Sequence, residues 1–195
     1  MRDSGQASKY RDPRADALRF RYHELYGGDE LPVPIEAMAE DLLGLSVREV
    51  PLDGVSGLLY PSDRAVYVNA NDTPARRRFT LAHEVGHWIC QCLEGRGAPM
   101  MCRAEDVAPR ADRMVEREAN IFAAELLMPE EAVRASAYEQ DPACIFGVSR
   151  EAMQWRLYGF GLVDVPPATG SSIPIQPRRA ALDRKTADPP PGRRS

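Results

Sequence analysis

Residues 73–92 read TPARRRFTLAHEVGHWICQC, a stretch that predicts one long helix. Thr73 is a favourable N-cap, and Pro74 suits the first helical position because its missing N–H needs no partner there. Apolar side chains recur at helical spacing further along, which indicates that one stripe of the helix is buried. They are Leu81, Val85, Trp88, Ile89 and Cys92. We expect the rest of the chain to be organised around this helix.

The same stretch contains the pattern H-E-x-x-H as HEVGH, residues 83–87. His83 and His87 lie about 40° apart around a helix of 3.6 residues per turn, so both imidazoles can reach one metal ion. Glu84 points to the edge of that face, where a carboxylate can take the proton of a metal-bound water. The alternative is a core helix with two satisfied histidines. The context favours a metal site with Glu84 as the general base.

Such a site needs a third protein ligand, and the chain has only one other histidine, the distant His23. A helix predicted over 111–128 places Glu116 and Asn120 on an otherwise small or apolar stripe. Because a buried carboxylate needs a partner, Glu116 is the favoured ligand. Asn120, one turn further on, can orient a histidine through a hydrogen bond.

Other third ligands stay open. Glu125 is a weaker competitor, and a thiolate from Cys92 or Cys102 would also serve. Glu118 lies about 200° around the helix from Glu116 and cannot replace it without a rotation of the helix.

The amino-acid composition is typical of one globular domain followed by a tail. The 195 residues are 44% hydrophobic and 28% charged, with a net charge of −4. The N-terminus has no apolar run of the signal-peptide kind, and no stretch approaches the roughly 18 apolar residues of a membrane span. We therefore expect a cytoplasmic protein with reduced cysteines and no membrane contact. The predicted divisions are a flexible segment 1–14, a domain 15–165, and a disordered Pro/Arg-rich tail 166–195.

The coarse pattern predicts an α+β fold that is mainly helical. Helices are expected over 16–26, 33–43, 111–128 and 129–138. Three short strands over 46–50, 57–60 and 65–69 predict a small, mostly antiparallel sheet beside the metal helix. Residues 142–161 predict a helical hairpin or a helix-turn-helix-like segment. DNA reading by this segment is disfavoured, because the body of the chain is acidic.

Peptide hydrolysis at such a site usually draws on a further donor for the oxyanion. No histidine follows His87, so the candidates are Tyr138, Tyr158 and Arg156.

Two long motifs in this order, RRRFTLAHEVGHW (76–88) and EREANIFAAELLMP (116–129), resemble the ImmA/IrrE family of zinc metallopeptidases. The similarity extends from LPVPIEAMAEDL (31–42) to FGVSREAMQWRL (146–157). It implies a compact gluzincin-like core in which His83, His87 and Glu116 bind zinc and Glu84 is the catalytic base. Mn²⁺ or Fe²⁺ is an alternative to Zn²⁺ at such a site.

The resemblance also implies a substrate, namely a helix-turn-helix transcriptional repressor encoded nearby, whose cleavage releases its target genes. Two alternatives are a metal-containing module that holds a partner without cutting it, and a DNA-binding regulator. An intact Glu84 argues against a purely structural metal site. The oligomeric state stays open.

Overall fold

The computed structural model describes residues 11–28, 30–93, 109–164 and 166. Its helices are α1 (Pro13–Tyr26), α2 (Ile35–Ala37), α3 (Pro74–His87), α4 (Pro109–Leu127), α5 (Glu130–Ser136), α6 (Pro142–Phe146) and α7 (Arg150–Gly159). Two π-helical segments, Met38–Leu42 and Trp88–Leu93, continue α2 and α3. Most of the predicted tail and most of the predicted N-terminal segment lie outside the described residues.

Side chains cap the helices where the sequence indicates. The Thr73 hydroxyl accepts the backbone N–H of Arg76 at 3.3 Å and begins α3. The Ser149 hydroxyl does the same for Ala152 at 3.1 Å and begins α7. Gly147, with φ +62°, ends α6 in the left-handed region that glycine adopts without strain. Local chemistry therefore sets these boundaries.

The sheet contains β1 (Ser46–Val50), β2 (Gly57–Tyr60) and β3 (Ala65–Asn69), in the spatial order β1-β3-β2. These bounds and the α+β class are confirmed. The sheet is mixed rather than mostly antiparallel, since β3 pairs antiparallel with β2 but parallel with β1. The reason is topological: β2 crosses to the far edge, and β3 then returns between β1 and β2.

Helix α3 lies between this sheet and α4. Every residue from Phe79 to Gly86 is buried, so α3 is enclosed rather than buried along one stripe. Gly86 permits a close approach to α4, because a Cβ built there would lie 3.1 Å from the Cα of Ala119. This contact brings the histidine face of α3 against the middle of α4.

The arginines at the start of α3 hold the sheet and the preceding loops against it. Arg76 Nε donates to the Ser56 hydroxyl at 2.8 Å. Arg77 pairs with Glu49 of β1 at 3.1 Å, and Arg78 donates to the Val33 carbonyl at 2.7 Å. These cations oppose the helix dipole, and their tertiary partners offset that cost.

The C-terminal helices α6 and α7 contact each other, and α7 contacts the end of α4. Arg156 of α7 is 5% exposed, forms an ion pair with Glu125 and donates to the Met128 carbonyl at 2.9 Å. Its guanidinium also lies 4.3 Å from the centre of the Phe160 ring. None of the helices in the described ranges has the length and apolar content to cross a membrane.

Candidate metal centre

Three side chains from α3 and α4 converge on one point. The Nε2 atoms of His83 and His87 are 2.9 Å apart. Glu116 reaches both imidazoles, with Oε2 at 3.2 Å from His83 Nε2 and Oε1 at 3.4 Å from His87 Nε2. The ligand atoms all lie within 4.8 Å of one another, and among the described residues this group could hold a metal ion.

Each imidazole is oriented through its other ring nitrogen. His83 Nδ1 donates to Asn120 Oδ1 at 3.1 Å, and His87 Nδ1 donates to Gln91 Oε1 at 2.8 Å. Since an amide oxygen only accepts, both Nδ1 atoms carry hydrogen, and in the neutral form of each ring the Nε2 atom that faces the other histidine is bare. Asn120 was anticipated in the sequence. Gln91 was not, although it extends the four-residue spacing of His83 and His87.

The pKa values of His87 and Glu116 both shift in the direction that favours the charged form of the group. Burial lowers the pKa of His87, but Glu116, Glu84 and Gln91 together outweigh burial and raise it above its ordinary value. Burial disfavours the ionised form of Glu116, yet its contacts with His83 and His87 hold its pKa well below the usual range. Glu116 is therefore a carboxylate at neutral pH.

The donor set fits a divalent metal ion. With both rings neutral, two bare imidazole nitrogens and a carboxylate face one another, and electron-pair donors this close repel unless a cation lies between them. Glu116 Oε2 is also buried and accepts no hydrogen bond within the described part of the chain. Two neutral histidines and one carboxylate are a ligand set that zinc uses in hydrolases, with a further position left for water.

Glu84 follows His83 on the enclosed part of α3 and is 4% exposed. Strand β2 passes directly over it. A Cβ built on Gly57 would lie 3.3 Å from Glu84 Oε1 and 2.4 Å from Thr80 Cγ2. Only glycine therefore allows the edge strand to lie this close to the carboxylate.

The competing ligands lie elsewhere. Glu118 pairs with Arg14 at 2.9 Å, and the buried Glu125 pairs with Arg156. Cys92 does not belong to the group that could hold a metal ion among the described residues. Cys102 lies outside the described residues.

The predicted oxyanion donors differ in their surroundings. Tyr138 follows α5 and is 96% exposed, whereas Tyr158 is 41% exposed and its ring lies 6.2 Å from that of Trp155. Arg156 is committed to Glu125. The role of either tyrosine stays a prediction.

A helical zincin-type pair of histidines, a carboxylate from a second helix and an adjacent buried glutamate together define the class of metallopeptidase-like domains. Residues 40–158 match the family Peptidase_M78, described as the IrrE N-terminal-like domain, and the chain belongs to this family. The resemblance to ImmA/IrrE proteins is thereby confirmed.

Individual relatives agree with this placement. The chain is 31% identical over 90 residues to the radiation response metalloprotease IrrE of Deinococcus radiodurans, covering 46% of this chain and 27% of that protein. It is 28% identical over 120 residues to the protein of the same name from Deinococcus deserti, covering 60% of this chain and 42% of that protein. The chain thus spans less than half the length of these curated relatives.

A solved structure shares the fold. A transcriptional regulator of Mycobacterium tuberculosis superposes with a TM-score of 0.57 at 22% identity, covering 76% of this chain and 47% of that one.

Proposed function

We propose that this protein is a zinc-dependent, site-specific endopeptidase. The observation that supports the proposal is the convergence of His83, His87 and Glu116 beside the buried Glu84. A purely structural metal site does not require a general base such as Glu84. Membership of a peptidase family, with relatives named as metalloproteases, supports the same reaction class. Mn²⁺ or Fe²⁺ would also suit this ligand set, since metal availability contributes to selection in the cell.

In this mechanism His83, His87 and Glu116 would hold the metal ion, and Asn120 would keep the His83 imidazole turned towards it. Zinc bound there supplies Lewis acidity and a water of lowered pKa. Glu84 accepts the proton of the attacking water and returns it to the leaving amine. Tyr138 or Tyr158 is the proposed donor to the oxyanion.

The position of β2 supports an extended peptide as the substrate. In the sheet, β2 pairs with β3 on one side and forms the edge on the other. Extended peptides bind such edges by adding a strand through main-chain hydrogen bonds. Since Gly57 brings this edge against Glu84, a peptide bound along β2 would pass the proposed base.

The proposed physiological substrate is a helix-turn-helix transcriptional repressor encoded near the gene of this protein, cut in the cytoplasm to release its targets. This part of the proposal follows from the family resemblance in the two long motifs. It assigns no direct nucleic-acid binding to the chain.

The test is co-incubation of the zinc-loaded protein with that repressor, followed by intact-mass analysis. One discrete cut is expected with the wild type and none with Glu84→Gln, whose metal content should equal that of the wild type. Tyr138→Phe and Tyr158→Phe form a second arm, in which the true donor lowers the cleavage rate. Stable binding without a cut in zinc and in manganese would instead identify a partner-holding module.

A further inference from the structure

Gln91 belongs to the π-helical segment Trp88–Leu93, which begins directly after His87. Gln91 is 6% exposed, and its Oε1 accepts from His87 Nδ1 at 2.8 Å, which is shorter than the bond between Asn120 and His83. A π-helix closes its hydrogen bonds one residue later than an α-helix, and such segments occur frequently at functional sites. The change of helix type therefore coincides with the partner of one imidazole.

The two imidazoles differ in how firmly packing holds them. The His83 side chain is 3% exposed, whereas that of His87 is 17% exposed and lies where α3 ends. A ring surrounded by protein is fixed by its neighbours, but a ring at the rim can rotate and exchange its tautomer. His87 therefore depends on a hydrogen bond for its orientation more than His83 does.

The direction of that hydrogen bond has a chemical consequence. A neutral imidazole carries one hydrogen, and the partner of one nitrogen determines which nitrogen is bare. With the Gln91 oxygen accepting from Nδ1, the bare nitrogen is Nε2, the atom that faces His83 and Glu116. Without an acceptor at this position, His87 could adopt the other tautomer, whose Nε2–H would point at His83 and Glu116 and could not bind a metal ion.

We infer that Gln91 is a positioning residue of the metal centre, which holds His87 in the rotamer and tautomer that present Nε2 to the ion. The inference rests on the metal-binding part of the proposed function and not on its substrate. Its effect is preorganisation, because the His87 imidazole does not have to rotate when the metal ion binds. Outer hydrogen-bond partners of this kind contribute about 10–100-fold to metal affinity.

The test measures zinc affinity by competition with a chromophoric chelator. Gln91→Met keeps the length of the side chain and removes the acceptor, whereas Gln91→Glu keeps an acceptor oxygen. Ile89→Met, a change to a partly buried residue of the same π-helical segment, controls for altered packing. Visible spectra of the Co²⁺-loaded proteins report the ligand geometry directly.

We expect Gln91→Met to bind zinc about 10–100-fold more weakly and to alter the Co²⁺ spectrum. Gln91→Glu should stay within about threefold of the wild type or bind more tightly, because a carboxylate is the stronger acceptor. Ile89→Met should bind as the wild type does.

Unchanged zinc affinity in Gln91→Met would overturn the inference. So would an equal loss in Gln91→Met and Gln91→Glu, which would indicate a packing role. Failure of the wild type to bind any of zinc, manganese or cobalt would remove the metal centre and the inference together. Normal metal binding without cleavage of any repressor would refute only the proposed substrate or activity, and the affinities would still test Gln91.

Discussion

Gly86 offers the sharpest test of how the two helices assemble the site. It lies in α3 between Glu84 and His87, and a Cβ built there would be 3.1 Å from the Cα, and also from the carbonyl oxygen, of Ala119. The side chain of Phe122 lies equally close at 3.1 Å. Two of these three atoms are backbone and cannot rotate aside, so Gly86→Ala requires α4 to move by a few tenths of an ångström.

Two effects of opposite sign compete in this variant. Alanine is favoured over glycine in a helix by about 0.8–1.0 kcal/mol. Overpacking of a close contact typically costs about 1–3 kcal/mol. Because the contact is with backbone, we expect overpacking to prevail, with a net loss of about 1 kcal/mol and a fall in Tm of about 2–4 °C for a chain of this size.

The larger consequence concerns the metal. Glu116 precedes Ala119 by three residues on the same helix, so a shift of α4 carries the carboxylate away from His83 and His87. Metal–ligand distances tolerate only about 0.2 Å. We therefore expect zinc affinity to fall roughly tenfold, a loss comparable to that of an outer partner.

Thermal unfolding of the metal-free protein and zinc competition measure the two effects separately. A Gly86→Ala variant that is more stable by the full helix-propensity gain and binds zinc normally would refute the reasoning. It would mean that α3 and α4 accommodate the extra carbon without moving Glu116.

Three further predictions concern neighbouring groups. Glu116→Ala should weaken zinc binding by more than roughly 100-fold, which exceeds the effect of losing an outer hydrogen-bond partner. Glu118→Ala loses only a partly exposed ion pair worth about 0–1 kcal/mol of stability and should bind zinc normally. Equal zinc affinities of the two variants in competition assays would reject Glu116 as a ligand. Arg156→Met leaves Glu125 buried without its main partner and should lower the free energy of unfolding in urea by about 3–5 kcal/mol; a loss below about 1 kcal/mol would contradict the ion pair. Zinc affinity should weaken as the pH falls through the raised pKa of His87, because the protonated ring has no lone pair for the metal. Calorimetric zinc titrations between about pH 5 and 8 would measure this. A zinc affinity that does not change with pH would contradict the prediction.

Local signals predicted much of the secondary structure. The three strands have the predicted bounds, because Asp-Gly and Pro-Ser-Asp turns separate short apolar runs. The start of α3 follows equally from Thr73 and Pro74. The pairing of the strands was harder to predict from the sequence, because the insertion of β3 between β1 and β2 depends on a crossover that adjacent residues do not encode.

The two π-helical segments were also missed. Trp88–Leu93 has the apolar spacing of an ordinary helix, and a change in hydrogen-bond register leaves no mark in composition. The partner of His87 was missed with it. The arginines at 76–78 are unfavourable at a helix start by local criteria alone, and the partners that offset this cost, Ser56, Glu49 and Val33, are distant in sequence.

The sequence alone determined the part of the site that one helix carries. The spacing in HEVGH places His83 and His87 on one face whatever surrounds them, because helical geometry is set by backbone hydrogen bonds. Only the tertiary structure decided how Glu116 meets them: α4 must approach α3 through Gly86, and this contact depends on packing between segments about 30 residues apart. A local pattern cannot encode that distance, because it results from the shapes of two buried surfaces.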